Sequence, residues 1–286
     1  MGMGSACAAA ATGDVYIYNG ALVSQSGIRL GAWGSGRAIE SKEHILAGSA
    51  SVKVIAQGLY CGGRLDFAQP VPLFTDGIPK TRYIVFSLFF TDTKPVDPAA
   101  GTDEWDEIEP WNVPKATQLR FVFVSDTGQK LSVEEPTNPL DPDDNWVRVA
   151  VPLAKFSALG DVKEFKLSRL LLFSDGPGTV NNPATMFVGE IKLVTDDKPI
   201  KVDSLGARVE APGYDIFLEA NADGGVSSLT YSWDFDNSNG LQQDLTGKVG
   251  RVVYTRGGDY TVTVTVSDVD GVKTPAAATG KISVNE

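Results

Sequence analysis

The sequence predicts an all-β chain made of two β-sandwich units, the second smaller than the first. Three observations predict it. Convincing 3.6-residue periodicity is absent, and short β-branched and aromatic runs recur between clusters of Gly, Pro, Asn and Asp. The composition shifts at residues 194–203, VTDDKPIKVD, where a strand-like run ends in charge and proline and reads as a linker. With 286 residues, the chain has room for two domains that each bury a core.

Taken in order, residues 1–12 come first. They hold small-residue triplets such as Ala6-Cys7-Ala8 but no basic start or apolar stretch. They read as an export remnant or a disordered leader and are set outside the fold. The first domain is expected over 13–196, with strands at Val15–Tyr18, Ser51–Ala56, Arg82–Phe90, Gln118–Val124, Trp146–Val151, Leu170–Phe173 and Met186–Val194. Alternation assigns their faces. In LRFVFVSDTG, Leu119, Phe121 and Phe123 point one way and Arg120 the other, and Asp126-Thr127-Gly128 turns the chain. In WVRVAVPL, Val147, Val149 and Val151 oppose Trp146, Arg148 and Ala150. Ile84, Phe86, Leu88 and Phe90 form one apolar face. Their neighbours Tyr83, Val85, Ser87 and Phe89 are too apolar for open water, so part of that second face should be covered. Beyond the linker, the second domain is expected over 201–286, where Tyr260, Val262, Val264 and Val266 alternate with Thr261, Thr263, Thr265 and Ser267. The linker itself, charged and containing Pro199, predicts that few contacts cross between the domains.

Composition removes several function classes. A net charge of −11 leaves no basic cluster for nucleic acid and no attraction to an anionic membrane surface. No apolar run approaches the roughly 20 residues of a membrane span. A single histidine, His44, reads as a surface residue and makes a Ser-His-Asp or Cys-His arrangement untenable. Two cysteines exclude a disulfide scaffold and a cysteine-rich zinc site, and Cys61 reads as a buried, inert thiol. The GAWGSG run lacks the spacing of a phosphate loop, so Trp33 reads as a turn or core aromatic.

Three motifs in the C-terminal part carry a resemblance. Trp233-Asp234-Phe235-Asp236 is followed by Tyr254, Gly258 and Tyr260-Thr261-Val262, and then by Asp268 to Gly271. In this order they resemble the PKD domain, an immunoglobulin-like sandwich common in extracellular proteins. Asn237-Ser238-Asn239-Gly240 replaces that family's tight Gly-Asp-Gly turn. The Trp233 cluster accordingly reads as architectural: the indole packs inside while Asp234 and Asp236 bond the turn backbone. The family's usual role is to space and present neighbouring modules.

Upstream, the pattern Trp146, Val149, Val151, Pro152, Leu153, Phe156 and a closing Gly189-Glu190-Ile191 resembles the galactose-binding-like jelly rolls of many carbohydrate-binding modules. The whole then reads as an N-terminal jelly-roll β-sandwich followed by a smaller, immunoglobulin-like PKD sandwich.

Candidate binding residues fall in three places. The long acidic segment from Thr91 to Gln118 carries Trp105 and Trp111 among carboxylates, a flat apolar face beside acceptors of the kind a pyranose needs. The same two indoles could instead fold back as a lid over Tyr83 and Phe89. The polar side of the strands places Tyr83, Arg120 and Arg148 on a groove or on solvated exterior. Asp141, Asp143 and Asp144 give an oxygen density that suits structural calcium, though an acidic turn without an ion has the same composition.

The resulting expectation is a non-catalytic extracellular or cell-surface module that binds a polysaccharide or glycan, held beside a PKD spacer and possible further modules of a secreted assembly. The alternative is a structural or adhesive surface protein whose partner is another protein.

Overall fold

The computed structural model describes residues 13–56, 61–96, 111–116, 118–137, 146–174 and 184–285. The first domain contains β1 (Val15–Tyr18), β2 (Ile28–Trp33), β3 (Arg37–Ser41), β4 (Ser51–Ala56), β5 (Gly62–Phe74), β6 (Arg82–Phe90), β7 (Thr93–Val96), β8 (Trp111–Pro114), β9 (Gln118–Ser125), β10 (Lys130–Pro136), β11 (Trp146–Pro152), β12 (Phe165–Phe173) and β13 (Ala184–Thr195). They form two antiparallel sheets. One runs β11-β6-β13-β4-β3, with β1 also on β13, and the other β10-β9-β12-β5-β2. A ribbon of β7 and β8 leaves the first sheet after Phe90 and returns to the second at Gln118.

Alternation puts Ile84, Phe86, Leu88 and Phe90 of β6 opposite Leu119, Phe121 and Phe123 of β9 in one core. The Phe86 and Phe121 rings stack across the sandwich with centroids 4.4 Å apart. Gly63 points into this core, where a Cβ would lie 2.8 Å from a Val54 methyl.

The second domain holds β14 (Lys201–Val202), β15 (Gly206–Glu210), β16 (Asp215–Glu219), β17 (Ala222–Asp223), β18 (Leu229–Asp234), β19 (Leu245–Thr246), β20 (Val249–Val253), β21 (Gly258–Asp268) and β22 (Ala276–Val284). Its main sheet is β15-β22-β21-β18-β19, with β15 parallel to β22, and a β16–β20 pair lies beside it. Trp233 is fully buried and donates through Nε1 to the Gly247 carbonyl at 2.8 Å. Asp234 accepts the Asp236 and Gln242 backbone N–H groups, and Asp236 accepts that of Ser238. The architectural reading of this cluster holds.

The junction between the domains differs from expectation. The linker is clamped rather than open. Asp196 is buried, accepts the Val226 and Lys198 N–H groups, and pairs with Lys273 Nζ at 2.7 Å. Tyr83, Val85 and Ala150 pack with Val194 of the first domain and with Val226 and Val272 of the second. Lys155 bridges Glu135 (2.6 Å) in its own domain and Asp270 (2.5 Å) across the junction. Of the linker charges that suggested a solvated spacer, Asp196 is therefore a buried ion-pair partner.

Candidate functional site

The outer face of the first sheet is covered at both ends. The second domain lies over Tyr83 and Val85. At the other end His44 stacks on Phe89 at 4.0 Å and meets Phe187 edge-on at 4.7 Å, while Trp146 contacts Phe89 edge-on at 5.5 Å. Gly189 sits at a bulge in β13, where a Cβ would lie 2.6 Å from the Trp146 ring. His44 is thus half-buried in an aromatic stack, a change from the plain surface residue expected. The covering that the sequence demanded over Tyr83 and Phe89 comes from these groups.

The outer face of the second sheet is different. Cross-strand register sets three rows upon it. The first runs Glu134, Arg120, Phe173, Gly62, Trp33; the second Ser132, Val122, Leu171, Arg64, Gly31; the third Lys130, Val124, Arg169, Asp66, Arg29. In the first row the Arg120 guanidinium lies over the Phe173 ring, 4.0 Å from its centroid. Gly62 lies beneath that ring, since a Cβ there would come within 2.7 Å of it. Trp33 closes the row at the edge strand and is 42% exposed.

In the lower rows, three arginines gather on one carboxylate. Arg169 Nε is 2.5 Å from Asp66 Oδ1, Arg64 Nε is 3.0 Å from Oδ2, and Arg29 Nη2 is 3.8 Å from Oδ2. Asp66 itself is buried. The Arg64 guanidinium lies flat across Gly31, whose Cβ, were there one, would be 2.8 Å from Nη2. This is a rigid sheet surface with an edge indole, a ring capped by a cation and an oriented set of donors. Such a set of side chains can hold a flat, polar ligand.

Among the described residues, the side chains of Tyr83, Arg120 and Arg148 expected from sequence do not come together. Arg120 belongs to this second-sheet face, whereas Arg148 is exposed on β11 of the first sheet, opposite Ser87. Tyr83 is buried at the domain junction, where its hydroxyl accepts from Ser227 Oγ at 3.4 Å and burial raises its pKa. Solvated exterior and groove are both wrong for Tyr83, because the second domain occupies that end of the sheet. Trp111 opens β8, paired with Val96. Trp105, Asp141, Asp143, Asp144 and the leader 1–12 lie outside the described residues. Among the described residues, no group of three or more His, Cys, Asp or Glu side chains could hold a metal ion. Trp33 is neither a core nor a turn residue but an exposed strand end. Arg29, Arg64, Asp66 and Arg169 were not singled out by the sequence. Their one local sign was the alternation Arg64-Leu65-Asp66 after a glycine pair.

Residues 197–284 match the family model of the PKD domain. No curated protein matches the chain. Solved structures show weak likeness, two of them as follows. One is the enzymatically active domain of tailspike protein 4 from bacteriophage CBA120, at 8% identity and TM-score 0.29, covering 60% of this chain and 20% of that one. The other is a catalytic domain with its two CBM51 domains from Clostridium perfringens ZmpB, at 13% identity and TM-score 0.23, covering 96% and 23%. The chain thus spans about a fifth of each, and nothing about function rests on these scores.

Proposed function

We propose that this chain is a non-catalytic, extracellular carbohydrate-binding module joined to a PKD domain that spaces it from neighbouring modules. One observation carries the reading: the outer face of the second sheet, where Trp33 and the Arg120–Phe173 stack stand on rigid strands beside the Arg29, Arg64, Arg169 and Asp66 donor–acceptor set. An indole gives a sugar ring an apolar surface, and the guanidiniums and carboxylate serve its oxygen substituents. Asp66, the carboxylate of these rows nearest the arginines, is engaged in ion pairs, which suits recognition rather than proton transfer. The PKD match at 197–284 supports placement outside the cell. Trp105 and Trp111 belong to this proposal as a second contact on the chemistry of their segment, two indoles among carboxylates.

A glycan array probed with the intact chain tests the proposal. Polysaccharide binding that is weakened in Trp33→Ala supports it. Saturation by a protein partner with no glycan signal would replace it with the adhesive reading.

Calcium at Asp141, Asp143 and Asp144 is a subsidiary proposal. An ion held only by the native state raises the melting temperature by mass action. The expected result is a higher melting temperature in excess calcium than in chelator, and equal curves would remove the ion.

A further inference from the structure

We infer that the ligand of the second-sheet face is an acidic polysaccharide, whose carboxylate or sulfate groups are gripped by Arg29, Arg64 and Arg169. This rests on the glycan-binding reading above and goes further by naming the class of sugar.

Charge is the first argument. The chain carries 36 acidic and 25 basic residues, yet two adjacent rows of this face bring three guanidiniums to a single carboxylate. Asp66 neutralises one of them, and the face is left positive on a negative protein. A general polyelectrolyte attraction is disfavoured by the rest of the molecule, so any acidic polymer that binds must do so at a local site.

Donor chemistry is the second. Guanidinium offers N–H donors and no acceptor. A neutral sugar hydroxyl both donates and accepts, so a surface rich in arginine serves only half of it. A carboxylate or sulfate accepts only, and its geometry matches the planar fork.

Preorganisation is the third. Asp66 is buried and fixed by strand register between Arg29 and Arg169; it accepts a hydrogen bond from Arg169 Nε and lies 3.0 Å from Arg64 Nε. The bond at Nε orients the Arg169 guanidinium without using the Nη pair with which a fork grips an anion end-on. Gly31 lets the Arg64 plane lie flat on the sheet. Arg29 and Arg169 stand two strands apart, about 10 Å between backbones, and both reach toward Asp66, so the donors form one compact patch for an acidic group of the polymer. Trp33, in the row nearer Gln118, then meets a sugar ring of the same polymer.

Polygalacturonate and its fully methyl-esterified form share a backbone and differ in charge. Dextran sulfate and dextran make the corresponding sulfate pair. Affinity electrophoresis of the intact chain through each polymer should show retardation by at least one charged member. The affinity should fall by about tenfold or more in the neutral member of that pair and in Arg64→Gln and Arg169→Gln. It should also weaken as salt is raised, and Arg148→Gln on the other sheet should behave as the parent chain. Retardation by polygalacturonate alone assigns carboxylate, and by dextran sulfate alone assigns sulfate. Arg29 is exposed, so Arg29→Gln tests the same grip without risk to the fold. Equal binding to charged and neutral members overturns the inference and leaves the glycan reading standing. Binding to acidic polymers unchanged in all three folded arginine variants also overturns it. No binding to any polysaccharide overturns both.

Discussion

At the scale of single residues, the most consequential group outside the binding face is Glu135. It is buried, with Lys155 on one side and Asp270 of the second domain beyond, so two carboxylates share one ammonium. Burial, opposed by the hydrogen bond from Lys155 and reinforced by Asp270, pushes its carboxyl up to about 7. Burial raises Asp270 as well. Lys155 moves up because its two carboxylate hydrogen bonds outweigh its own burial, and it stays charged throughout the range of interest. For Asp196, burial is outweighed by Lys273 and two backbone N–H groups, so its carboxyl lies below the usual value. Between the ordinary carboxyl value and about 7, native Glu135 keeps a proton that the unfolded chain has lost, so stability grows as pH falls through that window. The Asp196 contribution is lost only at lower pH, as its depressed folded value is crossed. The melting temperature of the intact chain should therefore rise from pH 8 to pH 6, by an amount corresponding to about 1–3 kcal/mol, and Glu135→Gln should flatten the rise. A melting temperature that is flat or falling over this interval in the parent chain would show that the shared-ammonium account is wrong.

At the scale of elements, the strands that alternate cleanly were legible. Leu119, Phe121 and Phe123 of β9 and Val262, Val264 and Val266 of β21 face the cores as their spacing demands. The strands that build the binding face were not. β5 begins with Gly62-Gly63, which reads locally as a turn, yet both glycines are strand residues because two other elements approach too closely for a Cβ. β2 carries Gly31 where a side chain would normally mark the period, since Arg64 occupies that space. Arg29, Arg64 and Arg169 are far apart in the chain and meet only through cross-strand register, a relation no local pattern carries. The same close approach yields an element-scale expectation. Gly62→Ala would place a Cβ 2.6 Å from the Leu172 carbonyl oxygen and 2.7 Å from the Phe173 ring. It should cost about 1–3 kcal/mol and displace the ring on which Arg120 rests. Thermal melts and binding together check this; an unchanged melt and unchanged affinity would mean that the β5–β12 contact is looser than described.

At the scale of the whole molecule, the two sandwiches share a buried seam. The apolar part is small: Tyr83, Val85 and Ala150 against Val226 and Val272. The polar part is costly to open, because separating the domains leaves Glu135 and Lys155 without Asp270, and Lys273 without Asp196. Composition revealed the linker's charge but not that the charge would be paired across it. A first-domain chain of residues 13–197 should still fold around its own core but melt below the same domain within the intact chain. Equal melting temperatures would restore the picture of independent units. A coupled seam also fixes the direction of the second-sheet face relative to the second domain.

The central claim is that the second-sheet face is where a polysaccharide binds. The direct measurement is the dissociation constant for one binding polysaccharide, determined in parallel for the intact chain, Trp33→Ala and Trp111→Ala, with melting curves for each. Trp33 is an exposed strand end, so its removal should leave the melt almost unchanged while weakening binding about tenfold or more. Full affinity in a folded Trp33→Ala chain, with loss only in Trp111→Ala, would contradict the account and move the site to the β7–β8 ribbon.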